Sequence, residues 1–295
     1  MLEQLVAERV LATGARLAEG PLWNAADGQL YWTDIDSHKL HRTQLSGTDE
    51  VILDGYEVGG FGFQEGGGLV LALANQFALL EPGADAPTSV CGVAHAGPTM
   101  RLNDGACDPA GRFWAGSMAR DLGPDRSCLY CLVGDRVREV LDGVSLSNGI
   151  DWSGDGRRMF YVDSLAGAIA CFEFDVDTGS LGRRTRFAEI EDFNFNRATG
   201  KLVVADGLCV DAEDCVWVAV HGAGEVRRFS PRGEPLARVS VPVPGVTSCT
   251  FGGPNLDILF ITTAEAAAAG EGAKTGSVYA LSTGTRGREP SRFRG

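Results

Sequence analysis

The sequence predicts an all-β protein, a six-bladed β-propeller with about four antiparallel strands in each blade. Two observations support this prediction. A unit of a glycine, a short strand, a polar turn and an apolar strand recurs along the chain, as in EGPLWNAADGQLYWTDI from Glu19 and DGACDPAGRFWAGSM from Asp104. The unit returns after about 45 residues, which is typical of a propeller blade, and no helical pattern lies between its copies.

Three further copies follow in the second half of the chain. They are NGIDWSGDGRRMFYVDS from Asn148, DGLCVDAEDCVWVAV from Asp206 and FGGPNLDILFITTA from Phe251. Each polar turn joins two apolar strands, the pattern of a β-hairpin. The leading glycines stand at positions 20, 105, 149, 207 and 252, so the gaps are 85, 44, 58 and 45 residues.

The two long gaps need separate explanations. The gap of 85 residues spans two units, and VGGFGFQEGGGLVLAL at 58–73 supplies the sixth copy. The gap of 58 residues requires an insertion, for which the polar stretch EDFNFNRATGK at 191–201 is the candidate. A β-sandwich is the rival architecture, but sandwiches do not repeat at this period.

The ends of the chain complete the predicted ring. The N-terminal stretch LVAERVLA at 5–12 is expected to supply an outer strand to the last blade, so that residues 1–295 form one domain. The alanine-rich stretch AEAAAAGEGAK at 264–274 is interpreted as a loop.

Composition narrows the classes of partner and the compartment. A net charge of −13 argues against binding to nucleic acid or to an anionic membrane, both of which require a basic surface. No apolar run approaches the ~20 residues of a membrane span, and the acidic start MLEQLVAERV is unlike a secretory signal. We therefore expect a cytoplasmic protein. Cys128 and Cys131 form a CxxC pair, but residues three apart on a strand face opposite sides, so no metal or redox role is expected.

The residues before four of the leading glycines are polar and bear oxygen. They are Glu19, Asp104, Asn148 and Asp206. In a propeller the strands that begin there surround one channel, so these side chains would meet at its mouth. Carboxylate and amide oxygens without thiolates are the ligands of a hard cation, which would also relieve the repulsion between the carboxylates. Asp-Gly and Asn-Gly are also ordinary turn dipeptides, which is the alternative interpretation.

Five stretches, taken in order along the chain, resemble the gluconolactonase family, which includes regucalcin and the bacterial sugar lactonases. They are EGPLW at 19, RLNDGACDPAGRFWAGSM at 101, LSNGIDWSGDG at 146, DGLCVDAEDCVWVA at 206 and VTSCTFGG at 246. The resemblance implies a six-bladed propeller, in agreement with the repeat.

The resemblance also implies a metal site. Glu19, Asn148 and Asp206 match the family's ligands for one divalent cation, and Asp206 matches its proposed general base. Calcium, zinc, magnesium and manganese all remain open. The family places Asn103 nearer the substrate than Asp104, so Asp104 is kept as a neighbour of the ligands.

Substrate contacts are implied at three positions. Arg101 and Asn103 match residues that hold the lactone or the sugar hydroxyls, and Asp121 falls where the family places an acid in a loop over the pocket. The chain departs from the family pattern at Ala205, where a proline is usual, and around His221, which would lie near the mouth. These departures leave the identity of the substrate open.

The expected function is metal-dependent hydrolysis of an aldonolactone, of the glucono-, xylono- or arabinonolactone type, to the aldonic acid. The expected partner is this small molecule, bound by a monomer or a small homo-oligomer. Two alternatives remain: a non-catalytic calcium-binding or regulatory propeller, and a propeller hydrolase acting on other esters or lactones. No G-x-S-x-G nucleophile motif is present in the sequence.

Overall fold

Six β-sheets surround a central channel in the computed structural model, which describes residues 2–196, 199–265 and 276–295. The innermost strand of each sheet contacts the innermost strands of its two neighbours, so the six sheets close into a ring. This arrangement confirms the predicted six-bladed propeller. The alanine-rich stretch that was expected to form a loop lies outside the described residues from position 266 onward.

The strands follow one another blade by blade after two N-terminal strands, β1 (Glu3–Val6) and β2 (Glu8–Ala12). Blades 1 to 3 consist of β3 (Ala18–Asn24), β4 (Gln29–Asp34), β5 (Lys39–Gln44), β6 (Asp49–Asp54); β7 (Val58–Phe63), β8 (Leu69–Leu73), β9 (Gln76–Leu80), β10 (Thr88–Gly92); and β11 (Met100–Cys107), β12 (Phe113–Ala119), β13 (Ser127–Val133), β14 (Arg136–Val144).

Blades 4 to 6 consist of β15 (Ser147–Trp152), β16 (Arg158–Asp163), β17 (Ala168–Asp175), β18 (Ser180–Glu189); β19 (Asn194–Asn196), β20 (Lys201–Val210), β21 (Val216–His221), β22 (Glu225–Phe229), β23 (Pro235–Ser240); and β24 (Val246–Gly252), β25 (Ile258–Thr263), β26 (Ser277–Ser282). A short 3-10 helix, Ser164–Ala166, follows β16.

The N-terminal segment joins two blades. Strand β2 pairs antiparallel with β26 and becomes the fourth strand of blade 6. Strand β1 instead pairs parallel with β23 and widens blade 5, which β19 widens on its other side. Blade 5 therefore has six strands rather than four, and β19 lies in the segment that the sequence marked as an insertion. Because β1 and β2 are consecutive, they tie blades 5 and 6 together.

The sequence alignment of the last copy was wrong in register. Gly20, Gly105, Gly149 and Gly207 lie within the inner strands of their blades, whereas Gly252 is the last residue of β24. A Cβ atom at Gly252 would lie 2.8 Å from the indole of Trp23, so this glycine makes room for a neighbouring blade rather than standing beside the channel mouth.

The core lies between adjacent blades. Between blades 3 and 4, for example, Trp114 and Trp152 meet with ring centroids 6.0 Å apart, and Phe174 packs 5.7 Å from Trp152. Burial of these large rings is the dominant favourable term in holding neighbouring blades together. No helix in the described ranges is long and apolar enough to cross a membrane.

Candidate functional site at the channel mouth

The inner strands share an irregularity at the mouth of the channel. The pairing of each inner strand with its neighbour shifts register between Glu19 and Leu22 in blade 1, and between Leu102 and Gly105 in blade 3. The inner strands of blades 4 and 5 shift in the same way between positions 147 and 150 and between 205 and 208. Such bulges re-aim side chains out of the sheet. They explain why Asn103, Asn148 and Asp206 leave the ladder and turn toward the channel.

Blades 4 and 5 come especially close at this point. A Cβ atom at Gly149 would lie 2.7 Å from the backbone oxygen of Asp206 and 2.6 Å from the nitrogen of Leu208. Only glycine fits there, because such contacts are far inside van der Waals distance. Gly149 therefore brings Asn148 of blade 4 beside Asp206 of blade 5, and the Asn-Gly dipeptide has a role in packing as well as in turning.

Four of the candidate residues form a buried cluster. Glu19, Asn103, Asn148 and Asp206 are 4–8% exposed although all are polar. The Asn103 side-chain amide donates to Oδ1 of Asn148 at 3.0 Å and to the backbone oxygen of Ser147 at 2.8 Å. Asn148 in turn donates to the hydroxyl of Ser164 at 2.9 Å. These bonds fix the orientation of both amides, with the Asn103 NH2 group directed at Asn148 and the Asn148 NH2 group directed at Ser164.

The carboxyl groups of the cluster repel one another. Burial, reinforced by the nearby charge of Asp104, raises the pKa of Glu19 from 4.5 to about 8. Burial raises the pKa of Asp104 from 3.8 to about 6. For Asp206, burial raises the pKa well above its ordinary value, and the charges of Glu19 and Asp104 raise it further. Glu19 and Asp206, which are buried, and the half-buried Asp104 thus form a site that a cation would stabilise, because a positive charge favours the ionised forms of these carboxyls.

One oxygen of the cluster is left for a ligand. Oδ1 of Asp206 is buried and has no hydrogen-bond partner within the described residues. A buried polar atom without a partner costs roughly 1–3 kcal/mol, so native sites rarely keep one without a purpose. The donor set of Glu19, Asn148 and Asp206 consists only of oxygens, which suits a hard divalent cation. The residues therefore fit the metal that the sequence predicted.

A chain of charged groups holds Arg101 beside the cluster. Arg101 is 5% exposed, and its guanidinium donates to the Asn103 side-chain oxygen and, at 3.0 Å, to the backbone oxygen of Leu102. Glu57 lies 3.6 Å from the Nε of Arg101 and accepts from Arg120 at 2.6 Å. Sequence reasoning missed Glu57. Glu57 lies just before the inner strand of blade 2, two residues before Gly59. The repeat pattern considered only the residue immediately before each glycine.

Two other candidates occupy different surroundings. Asp121 lies in the exposed loop after β12, where it accepts from the Arg126 guanidinium and, at 3.2 Å, from the backbone nitrogen of Gly123. The structure does not bring it into the buried cluster. His221 ends β21 with its Nδ1 atom 3.8 Å from Oδ2 of Asp206, and burial lowers its pKa. The histidine is therefore a neighbour of the cluster, as expected from its position near the mouth.

A second group of potential metal ligands lies in the turn between β20 and β21. Ligand atoms of Asp211, Glu213 and Cys215 all lie within 4.8 Å of one another. The Asp211 carboxylate, however, already accepts from the indole of Trp217 at 2.9 Å, from the backbone nitrogen of Cys215 at 2.9 Å and from Arg228 at 2.8 Å. Its oxygens are thus engaged in holding the turn.

The same arrangement recurs two blades away. Asp108, in the turn after β11, accepts from the indole of Trp114 at 2.8 Å and from the Nε of Arg112 at 2.5 Å. Aspartate and tryptophan are six residues apart in both turns. Repetition of the whole arrangement in a blade where no metal group is formed within the described ranges indicates a structural role for Asp211.

Comparison with known proteins decides the family. The model of the SMP-30/Gluconolactonase/LRE-like region matches residues 17–265, which include every member of the buried cluster. The chain belongs to this family. Regucalcin of Danio rerio is 36% identical over 268 residues, covering 89% of this chain and 88% of the relative. The resemblance identified from the sequence motifs is thereby confirmed.

Two solved structures share the fold. A luciferin-regenerating enzyme superposes with a TM-score of 0.84 at 27% identity, covering 95% of this chain and 96% of the other. A structure described as a calcium-binding protein, regucalcin, from Agrobacterium tumefaciens superposes with a TM-score of 0.90 over 99% of both chains. At 24% identity the second likeness shows the fold alone.

Proposed function

We propose that this member of the SMP-30/gluconolactonase/LRE-like family is a divalent-cation-dependent lactonase that hydrolyses a sugar lactone to the corresponding aldonic acid. Glu19, Asn148 and Asp206 would hold the cation, and Asp206 would act as the general base. The observation that supports this proposal most directly is the unpartnered Oδ1 of Asp206 inside a cluster of mutually repelling buried carboxyls. The family assignment agrees with the proposal, because gluconolactonases belong to the family.

The reaction is the transfer of an acyl group to water. A bound divalent cation supplies Lewis-acid polarisation of the lactone carbonyl. The Asp206 carboxylate takes a proton from the attacking water as the new carbon–oxygen bond forms, a contribution typically worth 10²–10⁴-fold in rate. Cleavage of the ring carbon–oxygen bond then returns that proton to the departing ring oxygen. The product is a hydroxy acid, so one lactone and one water account for every atom.

Arg101 and Asn103 orient the substrate. Both side chains are buried beside the cluster, and each is fixed by hydrogen bonds to its neighbours. A group that is already fixed loses little conformational entropy when it binds a sugar hydroxyl, so the lactone would be held in one orientation relative to Asp206. Glu57 contributes indirectly by fixing the guanidinium of Arg101.

The test is acid release from a panel of γ- and δ-aldonolactones. The protein is first stripped with a chelator, and single divalent cations are then returned, with spontaneous hydrolysis subtracted. We expect turnover of at least one lactone that disappears with the chelator and returns with a cation. Tight cation binding without turnover of any lactone would refute the proposal. That result would favour the alternative function, a calcium-binding protein without catalysis.

A further inference from the structure

A chamber lies in the channel below the candidate cation site. Its volume is about 210 Å³, and it is lined by the inner strands of all six blades below Glu19, Asn148 and Asp206. The C-terminal segment 286–294 contributes residues 288–291 to its lining. This segment bonds to turns around the ring, for example from the backbone nitrogen of Gly287 to Leu256 at 2.8 Å and from that of Arg294 to Gly111 at 2.9 Å.

Two thiols of adjacent blades meet in the wall of this chamber. Cys209 on β20 and Cys249 on β24 both line it, and their Sγ atoms are 3.8 Å apart. The two strands approach so closely because Gly207 has no side chain: a Cβ atom there would lie 2.1 Å from the hydroxyl of Ser248. The thiols of both residues are free.

The spacing of the sulfurs suits one metal ion. Two thiolates bound to a zinc ion at about 2.3 Å with a tetrahedral angle lie about 3.8 Å apart. The separation of the two sulfurs therefore matches that of two thiolates bound to one zinc ion. The chamber beside them has room for the water molecules that would complete the coordination.

A carboxylate adds negative charge to the same wall. Asp151 on β15 lines the chamber, and its charge acts on the Cys209 thiol. Its two oxygens accept from the backbone nitrogens of Trp152 at 2.8 Å and Val210 at 2.7 Å, which fix the carboxylate in place. The guanidinium of Arg288 also lines the chamber and its charge acts on Asp151, so a cation entering the chamber would meet two thiols and a carboxyl group beside an arginine.

We propose that Cys209 and Cys249 form a binding site for a thiophilic divalent cation such as Zn²⁺ or Cd²⁺, separate from the all-oxygen site at the mouth. Binding forms two metal–sulfur bonds and releases the two thiol protons to solvent, with no oxidation or reduction. The two sites have opposite chemical preferences, since thiolates select soft cations and carboxylates select hard ones. The proposal does not depend on the proposed lactonase activity.

The test is a titration of the whole protein with Cd²⁺ in the presence of excess Ca²⁺, which occupies oxygen-only sites. The thiolate-to-cadmium charge-transfer band in the ultraviolet is expected to grow and to saturate at one Cd²⁺ per chain. Cys209→Ser and Cys249→Ser should each abolish the band, whereas Cys171→Ser, a buried cysteine of blade 4, should leave it unchanged. A band that is absent, or that survives both substitutions, would overturn the proposal.

A second measurement uses the unaltered protein and so does not depend on the folding of any variant. The thiols are alkylated with and without Cd²⁺, and the modified cysteines are located by mass spectrometry. Protection confined to Cys209 and Cys249 is the expected result. Because Cys249 is only 2% exposed, the rate of alkylation is the quantity compared, and a rate at these two cysteines that Cd²⁺ does not change would contradict the proposed site.

Discussion

In the absence of a bound cation, the free energy of unfolding should fall as the pH rises. The pKa of Glu19 is about 8 in the fold against 4.5 for an ordinary glutamate. Below pH 4.5 the group is protonated in both states and has no effect. Between these two values the unfolded chain has lost the proton and the folded chain retains it, so unfolding releases a proton and the free energy of unfolding falls as the pH rises.

The size of the effect follows from the shift. Each pKa unit corresponds to about 1.4 kcal/mol, so the rise from 4.5 to about 8 gives an upper value of about 5 kcal/mol for Glu19. Asp104, whose pKa rises from 3.8 to about 6, acts in the same direction. For a chain of this size 1 kcal/mol changes Tm by roughly 2 °C, so Tm in chelator should fall between pH 5 and 8, with an upper value of roughly 10 °C for Glu19.

The assay is thermal unfolding in chelator across this pH range, repeated with excess Ca²⁺. With Ca²⁺ the decline should disappear, because the cation binds the ionised carboxylates. Glu19→Gln removes one of the titrating groups and should make the decline in chelator shallower, whereas Glu81→Gln, at an exposed acid, should leave it unchanged. If Glu19→Gln declines as steeply as the unaltered protein, the reasoning about the buried cluster is refuted.

Three substitutions probe other parts of the account. Glu57→Gln should raise KM for the lactone roughly 5–30-fold with little change in kcat, because a loosened Arg101 costs about 1–2 kcal/mol of binding. Phe293→Ala should lower the free energy of unfolding in urea by about 3–5 kcal/mol, since this ring of the C-terminal segment is 2% exposed. Asp211→Asn should lower stability by a similar 3–5 kcal/mol by leaving Arg228 without its buried partner. The number of Ca²⁺ ions bound, measured by calorimetry, should not change in that variant.

Matched control variants distinguish these effects from a general loss of stability or activity. Glu50→Gln breaks a surface pair with Arg42 and should leave KM unchanged. Phe193→Ala removes a phenylalanine that is 37% exposed and should cost less than half as much as Phe293→Ala. A lower kcat in Glu57→Gln, equal losses at the two phenylalanines, or loss of a bound Ca²⁺ in Asp211→Asn would each contradict the role assigned here.

The architecture could be predicted because the blades repeat in sequence. Glycine, polar turn and apolar strand recur at a nearly constant period, and the same spacing led to Glu19, Asn148 and Asp206, which the fold brings together. The last blade was misaligned because its inner strand has no glycine at the position equivalent to those of the other blades. Ser248 occupies that position and packs against Gly207 of blade 5. The glycine pattern therefore pointed to Gly252, at the other end of β24.

Contacts between segments that are distant along the chain could not be predicted, because they correspond to no local pattern in the sequence. The approach of Glu57 to Arg101 depends on the packing of blade 2 against blade 3. A single acidic residue does not recur along the sequence, so no repeat pattern could have indicated this contact. The closure of the channel by the C-terminal segment depends on backbone bonds to turns all around the ring. The meeting of Cys209 with Cys249 likewise depends on two strands that are adjacent only because the ring closes.

The most direct test of the central proposal compares lactone hydrolysis by the unaltered protein with that by Asp206→Asn, both with saturating divalent cation. If the Asp206 carboxylate takes the proton from water, kcat should fall by about 10²–10⁴-fold. Asp206→Asn keeps an oxygen at this position, so the cation content should be measured on the same sample. A kcat within a few-fold of that of the unaltered protein, with the cation bound, would contradict the assignment of Asp206 as the general base.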